Sequence, residues 1–261
     1  MADADPVVTL CPMPILPLLL AAVCPPQILP ADFAAREVLH YKLDVLGTEV
    51  GTFEVRAEPP PSADRERAAV LLTTRAKTNA FFSTNVGRFE TFSTALIARD
   101  FAPLRYREDV DENDLHHGTE LIFPAHGGTL TVKATRNGEP VPLTVQADEG
   151  VRDMISTLYV LRRLPLHRPV CMEVFAGRKV WKLSGEIAGK ESIDTPIGRV
   201  PSLRFDGEAV RLDDPHVRRE AHIWISDDER RLPLVAIGEV KGKTIRAQLV
   251  SAPGSRRAAR K

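Results

Sequence analysis

Cysteine is scarce in this chain: 3 in 261 residues. Cys11 and Cys24 fall within the first thirty positions, so only Cys171 remains in the body. A lone cysteine excludes a disulfide framework there and leaves folding to an apolar core. Large aromatics are few, with 2 Trp and 3 Tyr, so each is worth placing. Neither sign of charge prevails, at 35 Lys+Arg and 35 Asp+Glu. A balanced chain has no global field to gather nucleic acid, and none is expected as a partner. Catalytic signatures are missing as well. There is no Gly-x-Ser-x-Gly elbow, no Cys-x-x-Cys and no phosphate-cradling glycine loop. Ser156 has Asp153 one turn back but no histidine nearby in sequence. The expectation is a protein that is not an enzyme and uses no cofactor.

One long segment lacks charge altogether. From Pro6 to Ala31 no ionisable acid or base appears, and the centre reads Ile15-Leu16-Pro17-Leu18-Leu19-Leu20-Ala21-Ala22-Val23-Cys24. Its prolines suit an export signal better than a membrane-spanning helix. The start, Met1-Ala2-Asp3-Ala4-Asp5, departs from the basic start of a secretory signal. Leu20-Ala21-Ala22-Val23-Cys24 is similar to a bacterial lipobox, with Val23 where a smaller residue is usual and Cys24 as the lipidation site. The reading is a signal or lipoprotein-like leader over 1–30, with membrane association through the N-terminus; an uncleaved anchor and an apolar N-terminus with no targeting role are the alternatives. It puts the body in the periplasm or at the outer membrane. At the other end, 251–261 forms a short basic tail, with Arg256, Arg257, Arg260 and Lys261.

Between these ends the chain reads as a single β-rich domain over 36–250. Short alternating runs recur between turn signals. Val38–Val45 alternates and returns through Gly47 to Gly51 into Thr52–Val55. Phe89, Thr91 and Ser93 share one face of the next clear strand, with Glu90, Phe92 and Thr94 on the other. Leu104–Val110 and Thr119–Phe123 form a hairpin around Asp111 to Gly118. Asn137-Gly138 is a tight-turn signal. Further strands follow over 170–175, 179–187, 198–205, 220–226, 232–240 and 243–250. One segment breaks the pattern. Val151, Ile155, Leu158 and Leu161 recur at helical spacing, which predicts one central amphipathic helix over about 150–163. Asp148 would cap it, Glu149 suits the positive end of its dipole and Pro165 would stop it. On this reading Leu158→Asp unfolds the protein, and Asp153 and Arg162 anchor the helix to the sheet. The fold class is mainly β: a large antiparallel curved sheet or open β-barrel with this helix at its centre.

Two further groups carry metal-ligand residue types. Asp109, Asp111, Asn113 and Glu120 occupy positions one, three, five and twelve of a calcium loop. Asp114 stands where such a loop needs glycine, and strands flank it, so a solvated hairpin tip is expected. His116, His117 and His126 lie near that tip, but adjacent strand residues point to opposite faces. No metal site is expected.

Asp153-Met154-Ile155-Ser156-Thr157-Leu158-Tyr159-Val160-Leu161-Arg162 resembles the central helix signature of the bacterial DUF3108 family. Ile223-Trp224-Ile225-Ser226-Asp227-Asp228-Glu229-Arg230-Arg231-Leu232-Pro233 resembles its C-terminal strand–turn–strand signature. Tyr41 to Gly51 is similar to its opening strand pair, and Leu104-Arg105-Tyr106 follows Pro103 as in the family. The resemblance covers about Arg36 to Val250. It implies an exported or envelope-associated protein with a large antiparallel β structure, similar to the curved sheets of lipoprotein carriers. It brings no catalytic residues.

A curved sheet must cover its concave face. Where the helix does not fill it, the remainder would hold an acyl chain or a sugar face. Trp181, Trp224, His222 and Tyr106 are the candidate ligand-binding residues. The expected function is non-enzymatic: binding or escorting a lipid, lipoprotein or polysaccharide in the envelope. Two alternatives differ in what they require. An envelope-assembly module needs a filled core and a long free strand edge. A hydrolase of envelope polymers needs acid and base side chains meeting in a cleft.

Overall fold

The computed structural model describes residues 28–29, 36–123, 130–145, 150–240 and 242–253. The leader with Cys11 and Cys24, His126, Gly127-Gly128, Asp148, Glu149 and the basic end 254–261 lie outside the described residues. The strands are β1 (Glu37–Val45), β2 (Thr48–Glu58), β3 (Val70–Thr78), β4 (Phe89–Ile97), β5 (Pro103–Glu112), β6 (Leu115–Ile122), β7 (Thr131–Arg136) and β8 (Glu139–Pro140), then β9 (Arg152–Asp153), β10 (Val170–Ala176), β11 (Lys179–Thr195), β12 (Gly198–Arg211), β13 (Arg218–Ser226), β14 (Pro233–Val240) and β15 (Lys243–Ser251). Two helices interrupt them, α1 (Ala80–Asn85) and α2 (Met154–Leu161).

All fifteen strands form one sheet, in the order β8-β7-β6-β5-β4-β3-β2-β1-β15-β14-β13-β12-β11-β10-β9. Sequence neighbours pair antiparallel in each half, except that the short β9 runs parallel to β10. The first and last strands meet in the middle, with Tyr41 opposite Leu249. The mainly β, curved-sheet expectation holds. The hairpin turns at Leu46-Gly47, Asn113-Asp114, Asn137-Gly138 and Gly177-Arg178 all lie at one end of the sheet, together with α1 and the 212–217 turn. We call this end the rim. The opposite end, the floor, carries α2 and the β13–β14 turn.

The floor is tightly packed. Across β2 to β7 the inward row Ala57, Leu72, Ala95, Tyr106, Leu121, Val132 is set by direct cross-strand pairing. The first five of these are buried. Leu203, Phe205, Ile187 and Ile225 close the same core from the other half. The β10–β11 hairpin is buried on both faces, by Met172, Val174 and Leu183 on one and by Phe175 and Val180 on the other. The ring of Phe175 meets Tyr106 edge-on, centroids 6.5 Å apart. That contact brings the two halves of the curled sheet together.

The helix differs from its expected bounds. It runs from Met154 to Leu161, and Asp153, not Asp148, caps it: its carboxylate accepts from the N–H of Ile155 at 2.8 Å and Ser156 at 2.9 Å. The residues just before it are extended, with Arg152-Asp153 pairing beside Val174-Phe175 of β10. Ile155, Tyr159, Val160 and Leu161 are buried, whereas Leu158 is only half-buried. A wedge enclosed on several sides needs no single apolar stripe, so Leu158 is not the helix's key contact. The proposed anchoring by Arg162 is present. It pairs in bidentate fashion with Glu37 of β1 and donates to the carbonyls of Arg230 and Arg231.

Three other differences concern turns and cysteine. The β5–β6 hairpin is tighter than its sequence indicated, turning on Asn113-Asp114 alone. Helix α1, between β3 and β4, had no sequence signal of its own. Cys171 is half-buried on β10 and is disulfide-bonded. The expectation that Cys171 takes no part in a disulfide is therefore corrected.

Candidate functional site

The inner face changes character from floor to rim. One row above the packed floor, cross-strand pairing aligns Val55, Thr74, Ser93, Glu108, Thr119 and Ala134. Four of the six carry a hydroxyl or a carboxyl. A strand presents alternate side chains to one face, so Tyr106 and Glu108 lie side by side. The Tyr106 hydroxyl donates to Glu108 Oε1 at 3.1 Å. Burial pushes the Glu108 carboxyl up, and the charge of Asp109 adds to this. Burial also raises Asp153, whose Oδ2 has no hydrogen-bond partner among the described residues. Two carboxyls thus sit inside the shell, where desolvation works against their charged forms.

Above this polar row the wall turns apolar and open. Leu43, Ala247, Ala236 and Ile223 align across β1, β15, β14 and β13, followed by Phe205 and Ile187. The last two are fully buried; the first four are only half-buried. Phe53, Ala76 and Val110 continue the half-buried wall in the other half. Many of these side chains are small. The wall is lowered further at Gly185 and Gly207, over which the ring of Phe205 lies: a Cβ on Gly207 would come within 2.6 Å of that ring. The inner surface therefore has a filled floor, a polar band and a half-exposed apolar upper wall.

The four sequence-selected residues do not converge. Tyr106 is buried, its hydroxyl in the polar band. Trp181 is half-buried on the inner face near the rim. Its indole N–H donates to the Ala176 carbonyl at 3.1 Å, and the Arg219 guanidinium lies 5.0 Å from its ring centre. His222 and Trp224 share a face, as their spacing requires, but it is the outer one. Ile223 and Ile225 take the inner face of the same strand. Trp224 donates to Glu191 at 2.7 Å. His222 Nδ1 lies 2.8 Å from Asp206, whose hydrogen bond raises the imidazole above its ordinary range despite opposing desolvation. Trp181 and Tyr106 thus belong to the interior, and His222 and Trp224 to an outer patch. Cys24 lies outside the described residues.

Sequence reading missed Glu108, Thr74, Ser93 and Thr119. Their parity with the buried Tyr106 and Ala95 is the signal that would have found them. The histidines near the β5–β6 tip separate as expected. His116 lies 2.9 Å from Asp111, while His117 faces Arg178 and is lowered by desolvation and that positive charge. Among the described residues no three His, Cys, Asp or Glu side chains gather as metal ligands. No helix among them is long and apolar enough to cross a membrane.

A curled antiparallel sheet with a helix wedged in its floor and an open upper wall defines a β-barrel-like class of protein. Within that class, the chain belongs to the family described as protein of unknown function DUF3108, whose profile matches residues 38–250. No curated protein matches it. Among solved structures it is similar to the β-barrel-like protein of domain of unknown function DUF1849 from Brucella abortus. The identity is 8%, covering 84% of this chain and 97% of that one, with a TM-score of 0.54. A candidate lipoprotein from Parabacteroides distasonis aligns at 9% identity over 86% of this chain and 98% of its own, with a TM-score of 0.34.

Proposed function

We propose that this protein is an exported, non-enzymatic carrier that receives the acyl part of a lipid or lipoprotein against the upper inner wall of its shell. One observation carries the reading: the half-buried apolar surface formed by Leu43, Phe53, Ala76, Ile223, Ala236 and Ala247 above a fully packed floor. Monomers seldom leave a concave apolar surface unfilled without a use for it. The polar band beneath would meet a hydroxyl, ester or amide of the ligand through Glu108 and its neighbouring hydroxyls.

Export is supported by the uncharged apolar stretch over Pro6–Ala31 and the lipobox-like residues before Cys24. The fold comparison adds architecture alone.

The two tryptophans lie on opposite faces and allow a direct test. Trp224→Phe leaves Trp181 as the sole reporter inside the shell. Titrating this variant with a lysophospholipid below its micellar concentration should shift Trp181 emission to the blue, saturably. Absence of any shift, together with no retention of radiolabelled lipid on gel filtration, would overturn the proposal. A shift with an oligosaccharide in Trp181→Phe, which reports only Trp224, would favour the outer patch and a glycan instead.

A further inference from the structure

Glu108 and Asp153 lie inside the shell with no cation in contact among the described residues. Glu108 is half-buried although its side chain faces inward, so it is reached from the hollow. Asp153 is 0% exposed. One of its oxygens caps α2, and the other, Oδ2, has no hydrogen-bond partner among the described residues. The hydroxyls of Ser156 and Thr157 are engaged elsewhere, donating to the Asp153 backbone carbonyl at 3.1 and 2.8 Å. Asp153 stands beside Phe175, whose ring meets Tyr106. It therefore lies behind the Tyr106–Glu108 pair, and its charge acts on both residues.

Basic groups are absent at this depth. The polar row (Val55, Thr74, Ser93, Glu108, Thr119, Ala134) and the floor row beneath it hold no Lys or Arg. His117 and Arg136 come one row higher. Arg178, in the β10–β11 turn, meets His117 at 3.5 Å. Arg152 precedes Asp153 and donates to the Phe101 carbonyl. Neither arginine pairs with Glu108 or Asp153 among the described residues. Burial opposes the charge of Glu108 first, and Asp109 and Asp153 add to it, against the Tyr106 hydroxyl and the more distant Arg178.

We infer that the deep end of the hollow, at Glu108 with Asp153 behind it, receives the ammonium head of a single-chain amphiphile whose tail lies on the apolar wall above, given the carrier reading on which this rests. A buried carboxylate is tolerated when it is paired, and an ammonium brings both the counter-charge and three donors. A hydroxyl head brings donors without charge. An anionic head would face two carboxyls with no basic group in its own row. Because the wall lies between the polar row and the rim, the head sits deepest and the tail points outward.

The test uses Trp224→Phe, in which Trp181 reports on the hollow, with three amphiphiles of equal chain length below their micellar concentrations: decylammonium, decanoylglycerol and decanoate. At about pH 8 decylammonium should bind about tenfold or more tighter than decanoylglycerol, with decanoate weakest. The advantage of decylammonium over decanoylglycerol should shrink at about pH 4, where the carboxyls hold protons and no longer offset the ammonium. Adding Glu108→Gln keeps an oxygen for the Tyr106 hydroxyl. It should abolish the preference for decylammonium and leave decanoylglycerol binding as before, with circular dichroism verifying the fold. Equal affinity for all three heads would overturn the inference and leave the carrier reading standing. So would a preference that Glu108→Gln does not change. No response to any of the three would remove the carrier reading, and the inference with it.

Discussion

Removing Glu37 should be among the most damaging single changes in this protein. Arg162 is 3% exposed, and its guanidinium meets Glu37 at 2.7 and 3.0 Å. Tyr159 donates to the same carboxylate at 3.1 Å, and the Arg162 guanidinium lies 4.6 Å from that tyrosine's ring centre. Glu37→Ala leaves the cation buried with only the Arg230 and Arg231 carbonyls, each at 2.9 Å. An uncompensated buried charge costs about 3–5 kcal/mol. At roughly 2–4 °C per kcal/mol for a domain of this size, the melting temperature should fall by about 6–20 °C. The reasoning assigns that loss to the stranded charge, not to the vanished attraction. Glu37→Leu with Arg162→Met should therefore lose less than Glu37→Ala alone, about 1–3 kcal/mol for the two carbonyls left without donors. Urea denaturation of wild type, both singles and the double gives the coupling directly. A Glu37→Ala loss below about 1 kcal/mol would refute the argument, as would a double variant as unstable as the sum of the singles.

Three other predictions follow from the interior. Glu108 is held above its ordinary range in the folded state, so the folded protein binds the extra proton and stability declines as pH rises from about 4 through that raised value. Glu108→Gln should thus raise the melting temperature at pH 7 and make no difference below about pH 4; an equal effect at both pH values would count against a buried carboxyl. Ile155→Asp should prevent folding, whereas Leu158→Asp should cost no more than about 2 kcal/mol, because only the former takes a charge into the core; far-ultraviolet circular dichroism on heating separates them. Gly207→Ala places a Cβ 2.6 Å from the Phe205 ring and 2.8 Å from the Ser184 carbonyl oxygen, and should cost about 1–3 kcal/mol by overpacking, read from the urea midpoint.

Much of the sheet was legible because strand parity is a strong local signal. The faces of β4 come out as alternation assigns them, with Ser93 inward and Phe92 exposed, and His222 and Trp224 share a face as expected. Which face is inner is harder to read where every position is polar. Arg105-Tyr106-Arg107-Glu108-Asp109 offers no alternation, so sequence alone does not separate Glu108 from a surface acid; the burial of Tyr106 fixes the parity. The helix start was misplaced because both Asp148 and Asp153 are capping residues. Only the pairing of Arg152-Asp153 with β10, a tertiary contact, decides between them. Helix α1 gave no signal because periodicity detects a buried stripe, and this helix has none. The candidate site was half legible: Trp181 and Tyr106 belong to the interior, but sequence spacing cannot tell whether residues in strands far apart in order share a face.

The meeting of β1 with β15 has a consequence for how the chain reaches this form. Each half is a run of neighbouring hairpins that can zip locally, but the seam joining them spans nearly the whole polypeptide, and such distant closures are slow. Until the last strand is made, β1 presents a bare edge, the kind of template that invites wrong partners. A chain of this design benefits from being kept unfolded until synthesis ends. Joining the native ends by a short linker and opening the chain between β8 and β9 would turn the seam into one more local hairpin, and should speed folding without altering the shell.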